Sequence, residues 1–161
     1  MRLIKTILVP TDFSPAADRA LEYARNLADA FGASLHLLHV FENPFAAGAF
    51  MDMYTPAPGD ELERIARQSR EQLEALLTDE QKVRYTPAFT ARMGSPAQEI
   101  LEYAREHGSI DLIVIGTSGR NRVARLVMGS VADRVVRTAP CPVLTVHPHD
   151  RGEAGEEHRA A

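Results

Sequence analysis

Residues Leu3 to Phe41 read LIKTILVPTDFSPAADRALEYARNLADAFGASLHLLHVF. Leu3 to Pro10 is a short apolar, β-branched run ended by a proline, the pattern of a buried strand. The next segment carries helix punctuation at both ends. Ser14 is placed to cap, Pro15 suits the first helical position, and Gly32 sits where a left-handed stop is wanted. Between them Ala17, Ala20, Leu21, Ala24, Leu27, Ala28 and Phe31 form one apolar stripe at helical spacing. Ser34 to Phe41 then returns to strand character. Strands separated by a helix of this length imply a parallel sheet.

The same alternation continues outward. Glu42 to Gly59, with its prolines and glycines, reads as a long loop. A helix begins at Asp60, with Glu63 as its capping-box partner and Leu62, Ile65, Ala66, Leu73 and Leu76 on its inner face. Val83 to Arg92 is a weaker strand, and Pro87 inside it argues for an edge position. Ser95, Pro96, Gln98 and Gly108 repeat the cap, start, capping-box and stop pattern of a further helix. Ile110 to Gly116 is an apolar run suited to a strand buried on both faces. A last helix is expected from about Ser130 to Ala139, and a last strand in Pro140 to Pro148. The sum is β-α-β-α-β-α-β-α-β, an α/β domain with an open five-stranded parallel sheet and helices on both faces. Residues 1–148 are expected to form that single domain, and 149–161 a disordered polar tail.

Bulk properties narrow the function. A net charge of −4 disfavours nucleic acid and acidic membrane surfaces as general partners. No apolar run approaches bilayer length, and the start lacks a signal-peptide cleavage site. The single cysteine, Cys141, excludes an intramolecular disulfide and suits a reducing cytoplasm, where the chain is expected to reside. The histidines give no metal signature, and His36 and His39 should face opposite sides of their strand.

The chemistry gathers in IVIGTSGRNRVARLVMGSVADRV, Ile113 to Val135. Gly116 and Gly119 allow backbone N–H groups to approach an anion closely, and Gly129 with Ser130 opens a helix whose first N–H groups favour phosphate. Arg120, Arg122 and Arg125 lie between them, with no acidic residue from Gly116 to Ser130. Glycines at such positions also serve purely structural ends, and arginines often mark a solvated face. Of the three, Arg120, beside Gly119, is the best placed to meet a phosphate. The segment is neither a P-loop nor a G-x-G-x-x-G fingerprint.

The spacing Gly116-x2-Gly119-x9-Gly129-Ser130 resembles the nucleotide-binding pattern of the ATP-binding branch of the universal stress protein family. ILVPTDFS, LHLLHVFE, DLIVIGTSGR and GSVADRVVRTAPCPVLTV are similar to that family's strands and last helix, so the resemblance covers nearly the whole chain. It implies a Rossmann-like fold of the adenine nucleotide alpha hydrolase type, with strand order 3-2-1-4-5. It further implies that Asp12 and the backbone near Val40 hold adenine and ribose, in a pocket shaped by Pro10 and Thr11. Gly116, Gly119, Gly129, Ser130 and Val131 would surround ribose and phosphates. The ligand would be ATP, with AMP or ADP as alternatives, and Mg²⁺ held mainly by the phosphates. Read directly, Asp12 is equally suited to a turn before the Ser14 cap. The resemblance also implies a homodimer paired along the last strand, Val143 to Val146. With no general base visible beside the loop, a regulatory module binding ATP and an unknown protein partner is expected. A slow ATP-hydrolysing or adenylyl-transferring enzyme, or a ligand-free partner protein, are the alternatives.

Overall fold

The computed structural model describes residues 4–43, 59–117 and 128–147. Ten elements follow in order: β1 (Thr6–Thr11), α1 (Pro15–Phe31), β2 (Ser34–Phe41), α2 (Gly59–Glu74), α3 (Asp79–Tyr85), β3 (Ala88–Met93), α4 (Pro96–Glu106), β4 (Leu112–Gly116), α5 (Ser130–Thr138) and β5 (Val143–Val146). The strands form one parallel sheet ordered β3-β2-β1-β4-β5.

Alternation along the central strands builds two cores. Ile7, Val9, Leu35, Leu37 and Val114 point to one face, where they meet Ala20 and Ala24 of α1 and Leu73 of α2. Leu8, Leu38, Ile113 and Ile115 point to the other, against Ile100 and Tyr103 of α4 and Val135 of α5. Every residue of β1 is buried, as a strand covered on both faces requires. His36 and His39 diverge as expected: His36 meets Tyr103 of α4, whereas His39 packs on Phe13 beyond the end of β1.

The first crossover follows its sequence. Ser14 accepts from the Ala17 N–H, Pro15 opens α1, and Gly32 closes it at φ 66° in the left-handed region. Other boundaries differ. The expected start of β1 at Leu3 lies outside the described residues, and the strand runs from Thr6 to Thr11. Asp60 lies inside the first turn of α2, which starts at Gly59. Val83 to Tyr85 is helix rather than strand, because Thr78 and Gln81 close a capping box that starts α3. Thr86 then ends the helix at φ 41°, and β3 begins only after Pro87, still at the sheet edge. Ser95 makes no side-chain cap, and the Gln98 side chain, expected to close the box, reaches forward to Glu102 at 3.0 Å instead. That helix closes at His107, one residue before Gly108. The loop expected over Glu42 to Gly59 lies almost wholly outside the described residues, as do 148–161.

Candidate functional site

Three residues, Asp12 to Ser14, carry the chain from the end of β1 into α1. Thr11 Oγ1 accepts from the Phe13 N–H at 3.0 Å, and Asp12 Oδ1 accepts from the Ser14 N–H at 3.0 Å. Phe13 between them takes a φ of 59°, uncommon for a residue with a side chain. It is held there from β2: the His39 ring packs on Phe13 at 4.6 Å, and His39 Nδ1 donates to the Thr11 carbonyl at 2.8 Å. The turn role read for Asp12 is thus realised, and the same residue also faces the cavity described below.

The other junction begins at Gly116. A Cβ there would lie 2.7 Å from the Ala16 carbonyl oxygen, so the glycine lets the end of β4 pass directly against the first turn of α1. Close packing is therefore one demonstrable reason for this glycine. Thr117, buried, joins three pieces of backbone. Its N–H and its hydroxyl both donate to the Val146 carbonyl, at 3.0 and 3.3 Å, and its own carbonyl accepts from the Gly129 N–H. Its hydroxyl also lies 2.9 Å from His147 Nδ1. Gly129 occupies the N-cap of α5, so Ser130 is the first helical residue rather than the cap.

These junctions meet where strand order reverses between β1 and β4, around a cavity of about 400 Å³. Such a volume lies within the range of about 300–1,000 Å³ usual for small-molecule sites. Pro10, Thr11, Asp12, Val40, Gly116, Gly129, Ser130 and Val131 all line it. Gly119 and Arg120, like Arg122 and Arg125, lie outside the described residues. Three helices present their first turns to the cavity: α1 through Ser14 and Ala17, α4 through Pro96, α5 through Ser130 to Ala132. Each N-terminus carries partial positive charge, which favours an anion. Apolar walls come from Leu38, Val40, Ile100 and Ile115. Asp12 is the one carboxylate among the described lining residues. Thr117, Leu38 and Ile100 escaped the sequence reading. Only the helical stripe of α4 and the position of Thr117 directly after Gly116 hinted at them.

The fold and the cavity define a class: an open parallel α/β sheet with a ligand-sized pocket at its topological switch point. The family model of the universal stress protein family matches residues 3–147, and the chain belongs to that family. It is 36% identical to universal stress protein MJ0531 of Methanocaldococcus jannaschii over 150 residues, 89% of this chain and 82% of that protein. Among solved structures, protein MJ0577 of the same organism superposes with a TM-score of 0.74 at 24% identity, over 91% of this chain and 97% of the other. A universal stress protein solved in complex with cAMP superposes with a TM-score of 0.58 at 26% identity, over 91% of this chain and 99% of the other.

Proposed function

We propose that this chain is a nucleotide-binding regulatory protein that takes ATP into the switch-point cavity. The observation that carries this reading is the convergence of three helix N-termini and Asp12 on one partly apolar cavity. Adenine suits the walls formed by Leu38, Val40 and Ile100. The Asp12 carboxylate suits ribose hydroxyls or the adenine amino group, and the first turn of α5 suits phosphate. Gly119 and Arg120 would extend the phosphate site. A family relative in complex with cAMP supports an adenine nucleotide as the ligand class. Mg²⁺ would ride on the phosphates, since no group of three or more His, Cys, Asp or Glu among the described residues could hold a metal ion.

Calorimetric titration with ATP, with and without Mg²⁺, beside AMP and cAMP, tests the reading. Binding that strengthens with phosphate number is expected. Gly129→Val, which sets a branched side chain at the α5 N-cap, should weaken ATP binding at least tenfold, about 1.4 kcal/mol. No heat with any nucleotide, in protein shown free of carried-over ligand, overturns it.

The same reading includes a homodimer through Val143 to Val146. β5 is a sheet edge paired on one side by β4, and Leu144 on it is 36% exposed. An open apolar edge invites a second strand. Leu144→Lys should shift the protein to monomer in sedimentation; a wild-type chain monomeric at micromolar concentration removes the dimer.

A further inference from the structure

A second cluster of titratable groups lies on the α4 face of the sheet, deeper along the same seam that walls the cavity. His36 of β2 places Nδ1 at 2.9 Å from the Tyr103 hydroxyl of α4. Tyr103 is buried, 2% exposed. Its ring stacks on His107 at 4.0 Å between centroids, and the His36 and His107 rings stand edge to face at 5.9 Å. From β3, the Arg92 guanidinium lies over the Tyr103 ring at 4.9 Å and pairs with Glu106 and, at 3.7 Å, with Glu99, both of α4. The strand partners of His36 are apolar, Leu8 on β1 and Ala88 on β3.

The two histidines differ in how they bear a proton. His107 Nδ1 lies 3.0 Å from the Tyr103 carbonyl, an acceptor, so this bond survives in the imidazolium form. His36 is different. In the neutral tautomer that carries its proton on Nε2, its Nδ1 accepts the proton of the Tyr103 hydroxyl. Protonated, both ring nitrogens are donors, so towards His36 the hydroxyl can only accept, and its own proton must be re-aimed at a different acceptor. The new charge would also face the His107 ring, while Glu99 and Glu106, the carboxylates on this part of α4, are already engaged by Arg92. Burial, and then the charge on His107, hold the His36 imidazole below its ordinary value of 6.5. The sign follows: as pH falls below 6.5 the unfolded chain takes up a proton that the folded chain resists, and stability is lost.

The seam leads to the pocket. Ile100 lies one turn of α4 before Tyr103, Leu38 lies two residues after His36 on the same face of β2, and both line the cavity. We propose that His36 makes the β2–α4 seam acid-sensitive, so that its protonation loosens α4 and lowers the nucleotide affinity of the cavity that α4 helps to wall. This rests on the nucleotide-binding reading above.

The test compares ATP affinity of the full chain at pH 7.5 and 5.5 for wild type and His36→Gln, whose amide oxygen can still accept from Tyr103 but does not titrate. The loss in wild type should exceed the loss in His36→Gln by about fivefold or more, the lower range of ordinary couplings between sites. The variant carries the titration of the nucleotide phosphates themselves, so only the difference counts. Tyr103→Phe, which removes the donor that neutral His36 engages, should also shrink the acid response. Hydrogen exchange across α4 gives a readout that needs no nucleotide: wild type alone should lose protection at pH 5.5. Equal pH profiles for wild type and His36→Gln, with binding intact at pH 7.5, overturn this inference and leave the nucleotide reading standing. Absence of binding at both pH values removes that reading and the coupling with it, and exchange then decides whether the seam itself responds to acid.

Discussion

The β1–α1 and β4–α5 junctions both carry the chain from a central strand to a helix N-terminus at the cavity, and they do it in opposite ways. The first is short and self-sufficient. Side chains of Thr11, Asp12 and Ser14 each accept from a backbone N–H within the turn, and α1 starts with its cap in place. The second is long, passing from Thr117 to Gly129, and α5 starts on a glycine without a side-chain cap. The first N–H groups of any α-helix lack intrahelical partners. At α1 the protein supplies one of those partners itself; at α5 no side chain among the described residues does so. A junction that satisfies its own donors is built for stability. One that leaves them facing a cavity is suited to a ligand.

Substitutions can break or sharpen that contrast. The largest effect is expected where the junctions touch. Gly116→Ala forces a methyl against the Ala16 backbone, and neither side can yield like a flexible side chain. Urea unfolding should show a loss of about 2 kcal/mol or more, at the upper end of ordinary overpacking. Wild-type stability in that variant would mean the two elements slide apart freely. Ser14→Ala and Ser130→Ala form the sharper pair. Ser14→Ala should lower unfolding free energy by about 1 kcal/mol through the lost cap. Ser130→Ala should leave stability within about 0.5 kcal/mol. Yet it should weaken ATP binding about fivefold, the worth of one hydrogen bond of about 1 kcal/mol. If both serines proved equal in both measurements, the division between a structural and a ligand-facing junction would collapse.

The first junction was legible because its signals are local. Ser14, Pro15 and Gly32 act within one turn of themselves, and all three serve as the sequence suggests. Local motifs were less reliable where a competitor lay nearby. Thr78-x-x-Gln81 and Ser95-x-x-Gln98 have the same form, but only the first closes a capping box. Gln98 instead finds Glu102 one turn further along the helix, a choice that spacing alone does not reveal. Val83 and Tyr85 suggested a strand by their β-branched and aromatic character, and the cap at Thr78 overrode that preference. Of the cavity residues, those in turns and glycine spacings could be named from the chain. Leu38, Ile100 and Thr117 could not, because the sheet brings them together from distant segments.

The strand order has a consequence for the making of the molecule. The central strand is the first to be synthesised; β2 joins it on one side within the same short segment, while its other neighbour, β4, begins only at Leu112. Chains emerge from the ribosome at about 5–20 residues per second. For several seconds, then, a nascent chain holds the Asp12 turn and the β2 wall with one flank of β1 still open. Gly116 and Ser130 to Ala132, which also line the cavity, follow only once β4 has been made. On the nucleotide reading proposed above, a ligand would meet the whole set of lining residues only after Ala132 is made, and its binding would then seal a fold already formed rather than guide its early steps.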